Sequence, residues 1–137
     1  MLLRYKKQQG FKMILMSLAV LFFDQIGKFL VLNDISGFSL YTNYEIPLGV
    51  PFDLHLLFIA LITVIVLFKR KLFSKCDDIS IIAFSLLIGG IISNSFDRFL
   101  YGFVIDYFIF FNLFVFNLAD LSIFFGLLII SWKIFRK

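Results

Sequence analysis

The sequence predicts an all-α membrane protein: four transmembrane helices forming one domain over 1–137, both termini cytoplasmic, with a small extracytoplasmic β-platform. Three observations predict it. First, 61% of the residues are hydrophobic and 20% aromatic while only 16% are charged, a balance that no water-soluble domain of this size keeps dispersed. Second, apolar runs cover 13–32, 50–68, 79–96 and 118–134, each near the length a helix needs to cross about 30 Å of hydrocarbon. Third, the basic residues are segregated. Arg4, Lys6, Lys7 and Lys12 precede the first run, Lys69, Arg70, Lys71 and Lys75 separate the second from the third, and Lys133, Arg136 and Lys137 end the chain. Only Lys28 and Arg98 fall elsewhere. Basic loops stay in the cytoplasm, so 33–49 and 97–117 face outward. The net charge of +4 is then a topology signal, and it argues for no nucleic-acid partner.

The first run follows basic residues as a secretory signal would, but no small-x-small cleavage pattern follows it and Asp24 interrupts it, so it reads as a retained helix. The outward segment after it is a loop punctuated by Gly37, Pro47 and Gly49. The second run has the softest ends: its fully apolar part, 54–68, spans only about 22 Å at 1.5 Å per residue, so it borrows its flank or thins the bilayer. Cys76 lies in the cytoplasmic loop as a free thiol without a role. His55 is the only His, so no metal site is expected, and it reads as an interfacial polar residue. The segment 97–117 is rich in β-branched and aromatic residues and too short and acidic to cross again; strands or a re-entrant hairpin at the outer head groups are expected. Trp132 and Lys133 anchor the fourth helix at the inner interface. No linker or repeat divides the chain.

The polar residues inside the apolar runs are not scattered. Asp24 and Lys28 are four apart and share a helix face; Asn94, Asp97 and Arg98 share another; Asn117 and Asp120 repeat the spacing at the start of the last run. All fall in the outer part of the bilayer, as does Asp106 in the covering segment. A structural reading makes Asp24–Lys28 and Asp97–Arg98 ion pairs and Asp120 a helix cap. That pairing leaves no outer cation for Asp106 or Asp120. If the two carboxyls meet, they cannot both ionise, and a shared proton makes one a base and the other an acid. Such a pair activates water against a peptide carbonyl. A four-helix transporter, with an acid deep in an alternately open pathway, is the rival of another class.

Four motifs make the chain recognisable. "FFDQIGKFLV", "GGIISNSFDR", "YGFVIDYF" and "FNLADLSI" stand in the order and context of the bacterial lipoprotein signal peptidases, the type II signal peptidases, which the sequence resembles along most of its length. The resemblance implies an aspartic endopeptidase of the bacterial cytoplasmic membrane. It would act without a cofactor, as a monomer among membrane lipids, on diacylglyceryl-modified prolipoproteins, cutting before the modified cysteine. The implied catalytic residues are Asp106 and Asp120. Asn94, Arg98, Asn117 and Asn43 match positions that line the site, with Asp24, Lys28 and Asp97 as supporting partners. The outer loop "NYEIPLG", 43–49, departs from the family pattern at Glu45, Pro47 and Leu48, and Ser93 stands where a Gly commonly precedes the Asn. A specialised paralogue with a narrow substrate range, and a non-catalytic lipoprotein-binding relative, are the further alternatives.

Overall fold

The computed structural model describes residues 2–35, 37, 39–43, 77–111 and 113–136. These build a mostly helical molecule: α1 (Leu2–Leu32), β1 (Tyr41–Asn43), α2 (Asp78–Tyr101), β2 (Val104–Asp106), β3 (Phe108–Phe110), β4 (Phe114–Phe116) and α3 (Leu118–Phe135). The predicted second helix, 50–68, lies outside the described residues, as do Glu45, Pro47, Leu48, Gly49, His55 and Cys76. Within the described chain, Gln8–Leu32 and Asp78–Tyr101 are long and apolar enough to cross a membrane. Their outer faces carry side chains that water would not retain, including Phe22 and Phe23, each 61% exposed.

Two helices run longer than the hydropathy predicts. α1 begins at Leu2 rather than at 13, because the basic prefix is mostly Leu, Lys, Arg and Gln, good helix formers that outweigh Gly10. α2 continues past 96 through Asp97 and Arg98 to Tyr101. Their polarity does not end the helix. Gly102 does, adopting a left-handed φ of 79° and returning its N–H to the Arg98 carbonyl at 3.0 Å. At its other end Asp77 caps the helix, its side chain accepting from the Ser80 N–H.

α2 packs against both other helices. Ala83, Phe84, Leu87 and Ile130 form the buried core, with Met13, Ile123 and Leu127 packed around it. Where lipid removes the hydrophobic drive between helices, close backbone approach replaces it. The Gly89-Gly90 pair provides that approach on two sides: a Cβ on Gly89 would lie 2.7 Å from the Ser17 carbonyl oxygen of α1, and one on Gly90 2.5 Å from the Ala119 carbonyl oxygen of α3. Ser85 extends the seam by donating to the Met13 carbonyl at 3.2 Å.

The segment between α2 and α3 forms strands, as its composition predicts. β1 pairs antiparallel with β2, Tyr41 opposite Asp106 and Asn43 opposite Val104. β3 pairs antiparallel with β4, Phe108 opposite Phe116. β2 is buried along its whole length, which carries Asp106 down against the ends of the helices.

Candidate active site

The last turn of α1, the end of α2, β2 and the first turn of α3 converge at one end of the bundle, and each brings one or two polar residues there. Lys28 is the hub, although only 1% exposed. Its Nζ lies 2.5 Å from Asp24 Oδ2 and 2.7 Å from Asp97 Oδ2, and donates to Asn94 Oδ1 at 3.0 Å. Three protons thus meet three acceptors. Both carboxylates are completed by other donors. Asp24 accepts from Ser93 Oγ at 2.6 Å, the Ala119 N–H at 2.9 Å and the Tyr107 hydroxyl at 3.4 Å. Asp97 accepts from Gln25 Nε2 at 2.7 Å and the Ile105 N–H at 3.2 Å. An ion cluster as dry as this one persists only when its remaining lone pairs are satisfied.

Tyr107 joins the platform to both helices. Its hydroxyl donates to Asp24 and accepts from the Leu118 N–H at 3.3 Å. Burial, reinforced by the Asp24 carboxylate, pushes its pKa above the ordinary tyrosine range, so the hydroxyl remains a donor.

Asn94 links this cluster to a second one. Its Oδ1 accepts from Lys28 and, at 3.2 Å, from Asn117 Nδ2, while its own Nδ2 donates to Asp120 Oδ1 at 2.8 Å. Asn117 caps α3 in a reciprocal box: its Oδ1 accepts from the Asp120 N–H at 2.8 Å, and its N–H donates to Asp120 Oδ2 at 3.3 Å. The same side chain donates to Asp106 Oδ1 at 2.7 Å. One asparagine therefore holds both of the last two acids. Asp106 is 1% exposed, whereas Asp120 is only half-buried, so the pair has a dry member and an accessible one.

The sequence-predicted residues Asp24, Lys28, Asn94, Asp97, Asp106, Asn117 and Asp120 thus form one hydrogen-bonded network. Asn43 ends β1 beside the strand that bears Asp106. Three details differ from the structural reading of the sequence. Asp97 pairs with Lys28 rather than Arg98, because adjacent helical residues point in different directions while the Lys28 ammonium reaches across from α1. The cap of α3 is Asn117, with Asp120 as its third-position partner. Arg98 is then not consumed by Asp97, and its guanidinium lies within electrostatic range of Asp120, Asp106 and Asp97 together. Sequence reasoning assigned no role to Gln25, Ser93, Tyr107 or the Ala119 amide. Gln25 and Tyr107 sit inside the quoted motifs, and Ser93, the departure from the usual Gly, supplies the 2.6 Å hydrogen bond to Asp24.

Among the described residues no cluster of His, Cys, Asp and Glu has the arrangement of a metal site. The family model of signal peptidase (SPase) II matches residues 16–136. The lipoprotein signal peptidase of Buchnera aphidicola subsp. Schizaphis graminum is 33% identical over 109 residues, covering 77% of this chain and 62% of that protein. This chain thus spans less than two thirds of that relative's length. The lipoprotein signal peptidase of Campylobacter jejuni subsp. doylei is 37% identical over 130 residues, covering 83% of this chain and 81% of its own. A solved bacterial membrane enzyme superimposes with a TM-score of 0.69 at 25% identity, over 90% of this chain and 87% of that one.

Proposed function

The chain belongs to the signal peptidase II family, and on that premise we propose that it is an aspartic endopeptidase removing signal peptides from diacylglyceryl-modified prolipoproteins, cutting before the modified cysteine. Asp106 and Asp120 are the catalytic pair. The observation that carries the reading is their shared tether, Asn117, which donates to Asp106 Oδ1 from its side chain and to Asp120 Oδ2 from its backbone.

The dyad holds one proton. Four carboxyls, Asp24, Asp97, Asp106 and Asp120, face two cations, Lys28 and Arg98; the shared proton reduces the excess negative charge of this dry cluster from two to one. The ionised Asp takes a proton from water as its oxygen attacks the scissile carbonyl, while the protonated Asp gives its proton to the carbonyl oxygen, leaving a neutral tetrahedral diol. The diol then collapses. The C–N bond breaks, the nitrogen takes up the proton that the base acquired from water, one diol hydroxyl returns its proton to the other Asp as the carbonyl re-forms, and the pair is back at its starting protonation. Asp120, the accessible member, faces the substrate; Asn94 and Asn117 fix both carboxyls, and Arg98 limits their mutual repulsion.

Residues 1–137 act as a single domain of the cytoplasmic membrane, as a monomer with four crossings, 50–68 being the second, and both termini cytoplasmic. The site then opens on the extracytoplasmic side, where the lipid anchor confines the scissile bond to the membrane surface. The outer loop containing Glu45 narrows the substrate range. A transporter reading is disfavoured because the acids gather at one end of the bundle, and a non-catalytic relative because Asp106 and Asp120 are both present in a tethered pair.

The test is release of the signal peptide from a purified diacylglyceryl-modified prolipoprotein in detergent. Asp106→Asn and Asp120→Asn should each lower the rate by at least about 10²–10⁴-fold while melting like the wild type, and EDTA should leave the wild-type rate unchanged. Retained cleavage in either variant sinks the assignment.

A further inference from the structure

At the end of the bundle away from the dyad, a cleft of about 270 Å³ opens between the start of α2 and the end of α3, lined by Asp77, Ile79, Trp132, Lys133 and Arg136. The catalytic chemistry uses none of these residues. Three of its lining residues are charged, Asp77, Lys133 and Arg136, and the adjoining Asp78 has its own cation in Lys12. Asp77 accepts from Lys133 Nζ and from Ser80 Oγ, and Asp78 Oδ1 lies 4.0 Å from Lys12 Nζ. Arg136 is left over. Among the described residues it meets no carboxylate within ion-pair distance; its guanidinium stacks instead over the Trp132 ring, 4.8 Å from the centroid.

A guanidinium fixed over an indole presents its N–H edges in a plane, an arrangement suited to a phosphate oxygen pair. The indole lies where aromatic side chains mark a membrane interface, and Lys133, held by two partners, retains a third proton for a second oxygen. The cleft is smaller than the roughly 300 Å³ at which pockets begin to enclose a drug-sized ligand. It has room for a head group and not for acyl chains, which would run down the apolar flank of α3, where Phe124, Phe125 and Leu128 are exposed.

We propose that this cleft binds the phosphate of an anionic phospholipid, with Arg136 and Trp132 as the clamp. The proposal rests on the reading of α3 as a membrane-spanning helix, and a single reporter tests both. Trp132 is the only tryptophan in the chain, so its emission can be followed in vesicles containing phosphatidylglycerol or phosphatidylcholine brominated on the acyl chains. Brominated phosphatidylglycerol should quench with an apparent association about fivefold stronger than brominated phosphatidylcholine, the effect of one basic side chain at an anionic surface. Arg136→Gln should abolish the preference, whereas Lys6→Gln, which removes a charge from the basic prefix, should preserve it.

Equal quenching by the two lipids, or equal loss of preference in both variants, would overturn the clamp. Release of brominated phosphatidylglycerol by millimolar inorganic phosphate would make the cleft a soluble-anion site and overturn the lipid assignment. Absence of quenching by either lipid would instead remove the membrane-spanning premise.

Discussion

Replacing Lys28 by Met tests whether one ammonium organises the site. Met roughly preserves the side-chain volume, so the change removes charge and hydrogen bonds with little cavity. Three short contacts disappear, to Asp24 at 2.5 Å, Asp97 at 2.7 Å and Asn94 at 3.0 Å. Removing one partner of a buried ion pair costs about 3–5 kcal/mol because the other charge stays behind. Here the stranded carboxylates keep donors, Asp24 those of Ser93, Ala119 and Tyr107, and Asp97 those of Gln25 and Ile105. The loss should therefore fall near the lower figure, about 3 kcal/mol, or roughly a 12 °C fall in Tm for a chain of this size. Adding Asp97→Asn should recover part of it, since the double variant leaves one carboxylate uncompensated instead of two. Thermal unfolding in detergent, followed by circular dichroism, reads all three proteins. A Lys28→Met variant within about 1 kcal/mol of wild type would refute the reasoning, because the cluster would then be neutralised by protonation or water.

Asn117→Ser should keep the helix cap and most of the stability while losing the reach to Asp106, so cleavage should fall at least tenfold; Asn117→Ala should lose about 0.5–2 kcal/mol more through the cap, measured by melting alongside activity. Gly90→Ala places a methyl 2.5 Å from the Ala119 carbonyl oxygen and should cost about 1–3 kcal/mol and displace the neighbouring Asp120, whereas Gly10→Ala, with nothing within 4 Å, should be neutral or stabilising by up to about 1 kcal/mol; comparing the two melts checks the close approach. Lys133 and Ser80 hold the Asp77 pKa at about 2, below its usual value. Its contribution to stability is thus present above pH 4 and lost as pH falls through about 2, so the melting difference between wild type and Asp77→Asn should shrink across that window; a constant difference would remove this role.

The local geometry of the site was largely legible in the sequence, and its long-range geometry was not. Asp24 and Lys28 fall one helical turn apart, so their pairing follows from spacing, and Asn117 with Asp120 has the spacing of a capping box. The partner of Asp97 did not follow, since the Lys28 ammonium arrives from 69 residues away in the chain and no periodicity encodes it. α2 runs beyond the apolar stretch, which ends at 96, because its stop signal is Gly102, free to adopt a positive φ, and hydropathy does not register it. The β1–β2 register, which sets Tyr41 opposite Asp106, depends on tertiary placement of a three-residue strand. Ser93, a departure from the family pattern, is a 0% exposed donor built into the network.

The two halves of the network use different chemistry, and the difference bears on the proposed catalysis. Asp24 and Asp97 are held by an ammonium at 2.5 and 2.7 Å, a formal charge placed directly against each carboxylate. Asp106 and Asp120 are held by amide donors of Asn94 and Asn117. A neutral amide positions a carboxyl oxygen without fixing its charge, which is what the proposed pair would need to exchange a proton through the cycle while its geometry is preserved. Asn94 stands at the boundary, accepting from Lys28 and donating to Asp120. It transmits position from the locked half to the working half while adding no formal charge. Replacing Asn94 by Asp would join the two halves electrostatically, adding a fifth carboxylate beside Lys28 and Asp120. The expected outcome is a folded protein, stabilised at Lys28, whose cleavage is lost because Asp120 gains a like-charged neighbour in place of an N–H donor. An Asn94→Asp variant that cleaves at the wild-type rate would show that the dyad does not depend on a neutral tether.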